Sequence, residues 1–91
     1  MADRVPDSDD KIRRLFAARL RAARTMGGYP HANNFAKELG IEDETYRRWE
    51  RAETEPNIPS LVRISALLKV SLDFLLSGKP QAVPQAKVGT R

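Results

Sequence analysis

Residues 32–51 of the chain, ANNFAKELGIEDETYRRWER, carry the pattern that decides the fold. Two helices that cross at about 90–120° need a small side chain where their axes approach, and Ala36 supplies it. The tight connection between them needs a residue that tolerates a positive φ, and Gly40 supplies that. Large apolar residues flank these positions at Phe35, Leu39, Ile41, Tyr46 and Trp49. The spacing predicts two short helices joined by a tight turn, with Tyr46 and Trp49 pointing into the core.

Helical spacing continues on both sides of this stretch, and no strand-like alternation competes with it. A first helix is expected to begin at Ser8 or Asp9, whose side chains can cap free backbone amides, and Gly27-Gly28 stops it. Its apolar face comprises Ile12, Leu15, Phe16, Leu20 and Ala23, which recur at steps of three and four. The same helix carries six basic residues: Lys11, Arg13, Arg14, Arg19, Arg21 and Arg24.

The sequence predicts four further helices, and with them an all-α fold. Their expected spans are Pro30 or His31 to Leu39, about Asp43 to Arg51, a cap at Asn57 to about Lys69, and Leu72 to Leu76 behind a cap at Ser71. Asn and Ser are favoured caps because their side-chain oxygens accept from the first free amides of a helix. Gly40 is expected as the left-handed cap of the second helix.

The composition excludes several classes of protein. The chain has 91 residues and a formal net charge of +4, with 16 Lys and Arg against 12 Asp and Glu. It has no cysteine, which excludes disulfides, cysteine-ligated zinc and thiol catalysis. A single histidine, His31, leaves no multi-histidine metal site and no histidine-dependent relay. We expect neither an enzyme nor a cofactor, metal or small-molecule ligand, while the positive charge favours an anionic partner.

By composition the chain divides into three zones. Residues 1–8 form a polar lead, residues 9–78 the helical domain, and residues 79–91 a tail with two prolines, one glycine and no aromatic residue. The two terminal zones carry too little apolar surface to offset the entropy of ordering, so we expect them to be flexible. No apolar run approaches the roughly 20 residues of a membrane span, and the acidic start is unlike a secretory signal. A cytoplasmic protein without membrane contact is expected.

The residues downstream extend the central pattern into a family resemblance. The matching segments are FAKELGI at 35–41, YRRWER at 46–51, EP at 55–56, the apolar repeat at 61–68 and VSLDFLLSG at 70–78. In these segments the chain resembles the Cro/repressor (XRE) family of DNA-binding domains. The resemblance implies a compact five-helix bundle of the lambda-repressor-like type, in which helices 2 and 3 form a helix-turn-helix. It also implies sequence-specific binding of double-stranded DNA, with the third helix in the major groove.

The resemblance assigns expected roles to residues of the third helix. The family's base-facing positions are matched by Asp43, Glu44, Arg47 and Arg48. Arg47 or Arg48 can bond bidentately to guanine O6 and N7, and an acidic residue can accept from cytosine N4. Arg24 and Glu50 occupy positions that in similar domains form a partly buried ion pair, which joins the first helix to the third.

Phosphate contacts are expected from a second set of residues: Arg13, Arg14, Asn33, Asn34, Thr45 and Arg51. Thr45 can reach either a phosphate or a thymine methyl group. Many relatives have a glutamine at the start of the second helix, where it fixes a phosphate. The matching residue here is Ala32, so Asn33 or Asn34 is the expected substitute. The chain also has Ala52 where relatives often have glycine.

The local charge keeps two functions open. Between residues 42 and 55, six acidic residues stand against three arginines, a local net of −3. Such a segment needs basic residues elsewhere to approach DNA phosphates, and the first helix can supply them. The first hypothesis is a transcriptional regulator, a repressor, that acts as a homodimer on a pseudo-palindromic site. The second is a protein-interaction module on the same fold, antitoxin-like or an adaptor, whose acidic third helix meets a basic protein surface.

Overall fold

The computed structural model describes residues 8–79, and these form five α-helices with no β-strand among them. The helices are α1 (Asp9–Met26), α2 (Ala32–Leu39), α3 (Asp43–Glu50), α4 (Ile58–Leu68) and α5 (Leu72–Ser77). The all-α, five-helix prediction is therefore confirmed. The predicted lead and tail lie outside the described residues, apart from Ser8 and Lys79. None of the five helices combines the length and the apolar content that a membrane crossing requires.

Three of the helices begin at side-chain caps, where the sequence predicts them. The Ser8 side chain accepts from the backbone N–H of Lys11, at 3.1 Å, and starts α1. Asn57 starts α4 in the same way, and Ser71 starts α5. Each cap satisfies one of the amides that a helix start leaves without an intrahelical partner, which fixes where the helix begins.

The turn between α2 and α3 depends on Gly40, which has a φ of 75°. In this left-handed conformation the N–H of Gly40 donates to the Lys37 carbonyl, and the N–H of Ile41 donates to the Ala36 carbonyl. These two bonds close the end of α2 and turn the chain sharply into α3. Ala36 is only 1% exposed, so its small side chain lets other helices pack against α2. The predicted role of Gly40 is confirmed, and Ala36 is buried as its predicted role requires.

The core receives one completely buried large side chain from each helix: Leu20, Phe35, Tyr46, Ile64 and Leu75. Phe35 of α2 and Tyr46 of α3 have ring centroids 5.5 Å apart, and within α3 the ring centroids of Tyr46 and Trp49 are 5.7 Å apart. Burying such a side chain stabilises the fold by about 1.5–3 kcal/mol relative to leaving it exposed. Because every helix contributes to one cluster, α3 is held against the rest of the domain along its whole inner face.

The apolar face predicted for α1 is only partly covered at its N-terminal end. Phe16, Leu20 and Ala23 are buried, but Ile12 is 43% and Leu15 40% exposed. Ile12 lies in an open groove that is also lined by Phe16, Leu61 and Leu76. The apolar period of α1 thus continues beyond the part of the helix that the other helices bury.

Candidate nucleic-acid interface

A buried ion pair fastens α3 to α1. Arg24 Nε, on α1, donates to Glu50 Oε2 at 2.7 Å, and Nη2 donates to Oε1 at 3.3 Å. Both side chains are only 8% exposed. Arg24 Nη1 also donates to the Tyr29 carbonyl at 2.7 Å, so the guanidinium is held at three points. The structure thus brings together the two residues expected to pair.

The pair has a third member, Tyr46, whose hydroxyl donates to Glu50 Oε2. Burial raises the pKa of Tyr46 well above its ordinary value, and the hydrogen bond to Glu50 adds to the rise. The hydrogen bond to Glu50 also raises the pKa of Arg24, against the opposing effect of burial. Tyr46 therefore remains a donor at neutral pH. The spacing predicts Tyr46 in the core, but its hydroxyl contact was missed, although the four-residue separation from Glu50 places the two on one helix face.

The outer face of α3 is a set of paired charges. Arg47 Nε lies 2.8 Å from Asp43 Oδ2, and Arg48 Nε lies 3.4 Å from Glu44 Oε2. Both pairs join residues four apart, which are neighbours on a helix surface. The four side chains are between 47% and 58% exposed. The structure thus places all four candidate base-reading residues on one exposed face and pairs them with one another.

Arg51 extends this arrangement past the end of α3. Its Nη2 lies 2.8 Å from Glu44 Oε2, and its Nε lies 2.9 Å from Glu53 Oε2. The hydrogen bonds to Glu53 and Glu44 raise the pKa of Arg51. The bond to Arg51 in turn lowers the pKa of Glu44 and that of Glu53. Both carboxylates are therefore ionised at neutral pH.

The acidic segment is largely neutralised within the folded domain. Five of its six acids lie within ion-pair distance of an arginine, and Glu42 is the exception among the described residues. The first helix supplies three of the arginines, Arg13, Arg21 and Arg24. Among residues 8–79, no three His or acidic side chains are grouped as ligands for a metal ion. The local excess of acid is thus balanced by cations that are distant in sequence.

Two of the candidate phosphate residues lie together at the end of α3. Arg14 and Arg51 line a shallow depression of about 260 Å³ together with Arg21 and Glu50. Arg13 lies elsewhere, in the groove beside Pro56, and its Nε is 3.4 Å from Glu55 Oε1. The structure therefore groups Arg14 with α3 and separates Arg13 from it.

The start of α2 lies beside this region. Ala32 shares a second depression with Arg21, Arg47 and Arg51. Asn33 and Asn34 are exposed in the first turn of α2, and Thr45 is exposed in the first turn of α3. Unlike the other three helices, α2 and α3 have no side-chain hydrogen bond at their N-caps, His31 and Glu42. The first amides of these two helices thus have no side-chain acceptor at the N-cap, although the N–H of Asn34 donates to the His31 carbonyl at 3.2 Å.

Comparison with known proteins places this geometry in a family. A family model described as helix-turn-helix matches residues 20–75. The SPbeta prophage-derived HTH-type transcriptional regulator YonR of Bacillus subtilis is 39% identical over 64 residues, which cover 70% of this chain and 58% of that protein. Repressor protein C2 of Salmonella phage P22 is 38% identical over 64 residues, which cover 70% of this chain and 29% of that protein. The chain thus matches less than two thirds of the length of these relatives.

A solved structure supports the same architecture. The crystal structure of the hypothetical transcription factor NHTF from Neisseria superimposes with a TM-score of 0.66, over 93% of this chain and 90% of that one. Its sequence identity is 21%, so this likeness concerns the fold. The family match covers α2, the glycine turn and α3 as well as the anchor between Arg24 and Glu50. The chain therefore belongs to the XRE-type helix-turn-helix family.

Proposed function

We propose that this chain binds double-stranded DNA in a sequence-specific manner and regulates transcription as a repressor. The observation that carries the proposal is the α2–α3 unit itself: Gly40 sets the turn, and the buried Arg24–Glu50 pair holds α3 with its outer face exposed. A helix presented in this way fits the major groove, where each base pair has a distinct pattern of donors and acceptors. The names of two relatives, a transcriptional regulator and a phage repressor, point to the same activity.

Base reading is assigned to the paired face of α3. Arg47 and Arg48 are candidates for bidentate bonds to guanine, and Asp43 and Glu44 for accepting from the cytosine amino group. In the unbound chain each arginine lies beside one of these acids. Binding therefore exchanges partners, because each guanidinium leaves a carboxylate for a base while a carboxylate can turn to a cytosine.

Phosphate contacts are assigned to the residues around this face. Arg14 and Arg51 flank the end of α3, and Asn33, Asn34 and Thr45 are exposed on the first turns of α2 and α3. The amides at both helix starts add donors for phosphate oxygens. Arg13 is the least suited of the candidates, because it lies in a different groove beside Glu55.

The proposal includes a homodimer on DNA and a cytoplasmic location, and it needs no cofactor, membrane or catalytic residue. The competing hypothesis of an acidic surface for a basic protein is not favoured. It requires a surface of net negative charge, whereas most of the acids between residues 42 and 55 are already balanced by arginines of the same chain.

Selection from randomised duplex DNA at several salt concentrations tests the proposal. We expect an enriched sequence whose affinity falls steeply as salt rises, because phosphate contacts release counterions. Arg48→Ala should relax one base position by about 1–3 kcal/mol, whereas Arg14→Ala should weaken all sequences alike and reduce the salt slope by about 1. Absence of enrichment, with no retention of DNA even at about 50 mM salt, would overturn the proposal.

A further inference from the structure

Glu44 is an exposed acid of the segment that lies within ion-pair distance of two arginines; Glu50, which also faces two, has a buried side chain. Its Oε2 lies 2.8 Å from Arg51 Nη2 and 3.4 Å from Arg48 Nε, so one carboxylate oxygen holds two guanidinium groups. Asp43 faces Arg47 alone, and Glu53 faces Arg51 alone. Glu44 also belongs to the first turn of α3, the end of the helix that enters a groove first.

The two arginines that Glu44 holds are those that DNA of any sequence would attract. Random duplex DNA offers a guanidinium mainly phosphate charge, and each such contact is gained through release of about one counterion. A carboxylate at hydrogen-bond distance competes directly for the same guanidinium. A cognate site stabilises both partners of the ion pair, because guanine accepts bidentate bonds from the arginine and the cytosine amino group donates to the acid. The competition therefore weakens binding to random DNA more than binding to the cognate site.

We propose that Glu44 is a specificity-determining residue that withholds Arg48 and Arg51 from the phosphates of non-cognate DNA. This inference rests on the proposed function and assigns Glu44 a role beyond contact with a base. The ion pairs of Glu44 are exposed, so their loss should leave the fold intact. The negative charge acts on binding because it is close to both cations at the surface that meets DNA.

Glu44→Gln tests the proposal, with Glu42→Gln as the matched control. Both changes remove one negative charge at the start of α3, but Glu42 makes no ion pair with another described residue. For random duplex DNA at about 0.1 M salt, Glu44→Gln should bind up to roughly eightfold more tightly through the release of Arg48, with a salt slope steeper by about 0.9, and Arg51, which keeps its bonds to Glu53, should add less than this. Glu42→Gln should produce only the smaller change that is due to net charge. The preference for the selected site over random DNA should fall in Glu44→Gln alone.

Arg51→Ala provides a second measurement. In that background Glu44→Gln should gain less affinity for random DNA than it gains in the unmodified chain, because only Arg48 remains to be released. Equal effects of Glu44→Gln and Glu42→Gln on random DNA would overturn the inference while leaving the proposed function intact. So would a Glu44→Gln chain that loses affinity only for its selected site, since Glu44 would then act solely as a base contact. If no form of the chain retained DNA, both proposals would fail.

Discussion

Ala52 has a left-handed backbone, with a φ of 63°, at the position that ends α3. The N–H of Glu53 donates to the Arg48 carbonyl and the N–H of Ala52 to the Trp49 carbonyl, which is the pattern of a helix end that usually has glycine at this position. An L-residue in the left-handed conformation costs about 1–2 kcal/mol. Glycine removes this cost, but it loses more conformational entropy on folding, and that loss offsets part of the gain. Ala52→Gly should therefore stabilise the domain by about 0.5–1 kcal/mol, measured by urea unfolding.

Ala18→Gly is the control for this change. Ala18 lies exposed in the middle of α1, where its backbone is ordinary helix. Glycine at such a position costs about 1 kcal/mol. Opposite signs at the two positions would establish that conformation, and not the loss of a methyl group, determines the effect. A destabilising Ala52→Gly would contradict the argument.

Tyr46 gives the stability a defined dependence on pH. Because the folded state raises its pKa above the unfolded value of about 10, the folded chain keeps a proton that the unfolded chain loses. The stability from this group is therefore complete below about pH 10 and declines as pH rises further. Tyr46→Phe removes both the hydrogen bond to Glu50 and this titration. At neutral pH it should cost about 1.5–3 kcal/mol.

The difference in free energy of unfolding between the unmodified chain and Tyr46→Phe should narrow above about pH 10, by up to about 1.4 kcal/mol for each pH unit. Urea unfolding of both proteins at about pH 7, 9 and 11 measures it. Between the two lower values the difference should hold constant, which provides an internal control. A difference that stays the same up to about pH 11 would show that Tyr46 has no raised pKa in the folded state.

At the scale of the elements, the anchor between α1 and α3 has a larger predicted effect than the surface pairs of α3. Glu50→Gln leaves Arg24 buried without its counter-charge, which should cost about 3 kcal/mol. For a domain of this size that corresponds to a fall in Tm of more than about 10 °C. Asp43→Asn breaks a pair that is about half exposed, and it should change stability by less than about 1 kcal/mol. Thermal unfolding of the two variants measures which one loses more stability. Similar falls in Tm would contradict the larger effect assigned to the Arg24–Glu50 pair.

The helix limits could be predicted because their signals are local. Ser8, Asn57 and Ser71 mark starts, and Gly40 marks a turn, through bonds to residues only a few positions away. The exposure of Ile12 could not be predicted in the same way. Helical periodicity says which residues share a face but does not say where along the helix a partner stops covering that face.

At the scale of the whole molecule, the local features of the candidate site could be predicted from the sequence, but the contacts between distant residues could not. The residues on the outer face of α3 could be predicted from spacing and family resemblance, and so could the pairing of Arg24 with Glu50. The neutralisation of the acidic segment could not, because Arg13 and Glu55 are 42 residues apart in sequence. The net charge of +4 therefore describes the domain poorly. What matters for an approaching anion is which arginines the fold has already paired.

A two-fold dimer has a geometric consequence that DNA can test. If two copies place their α3 helices in successive major grooves, the centres of the half-sites should lie roughly 34–36 Å apart, about one helical turn. Inserting about 5 base pairs between the half-sites of a selected site turns one half to the opposite face, so affinity should fall to that of a single half-site. Inserting about 10 base pairs returns both half-sites to the same face of the duplex but increases the distance between them. Comparing the two insertions therefore distinguishes the effect of rotation from the effect of distance. Mobility-shift titration with these three duplexes provides the measurement. If the selected site lacked internal symmetry and one chain bound it with no dependence on spacing, the dimer would be contradicted. Sequence-specific binding of DNA by a single chain would then still stand.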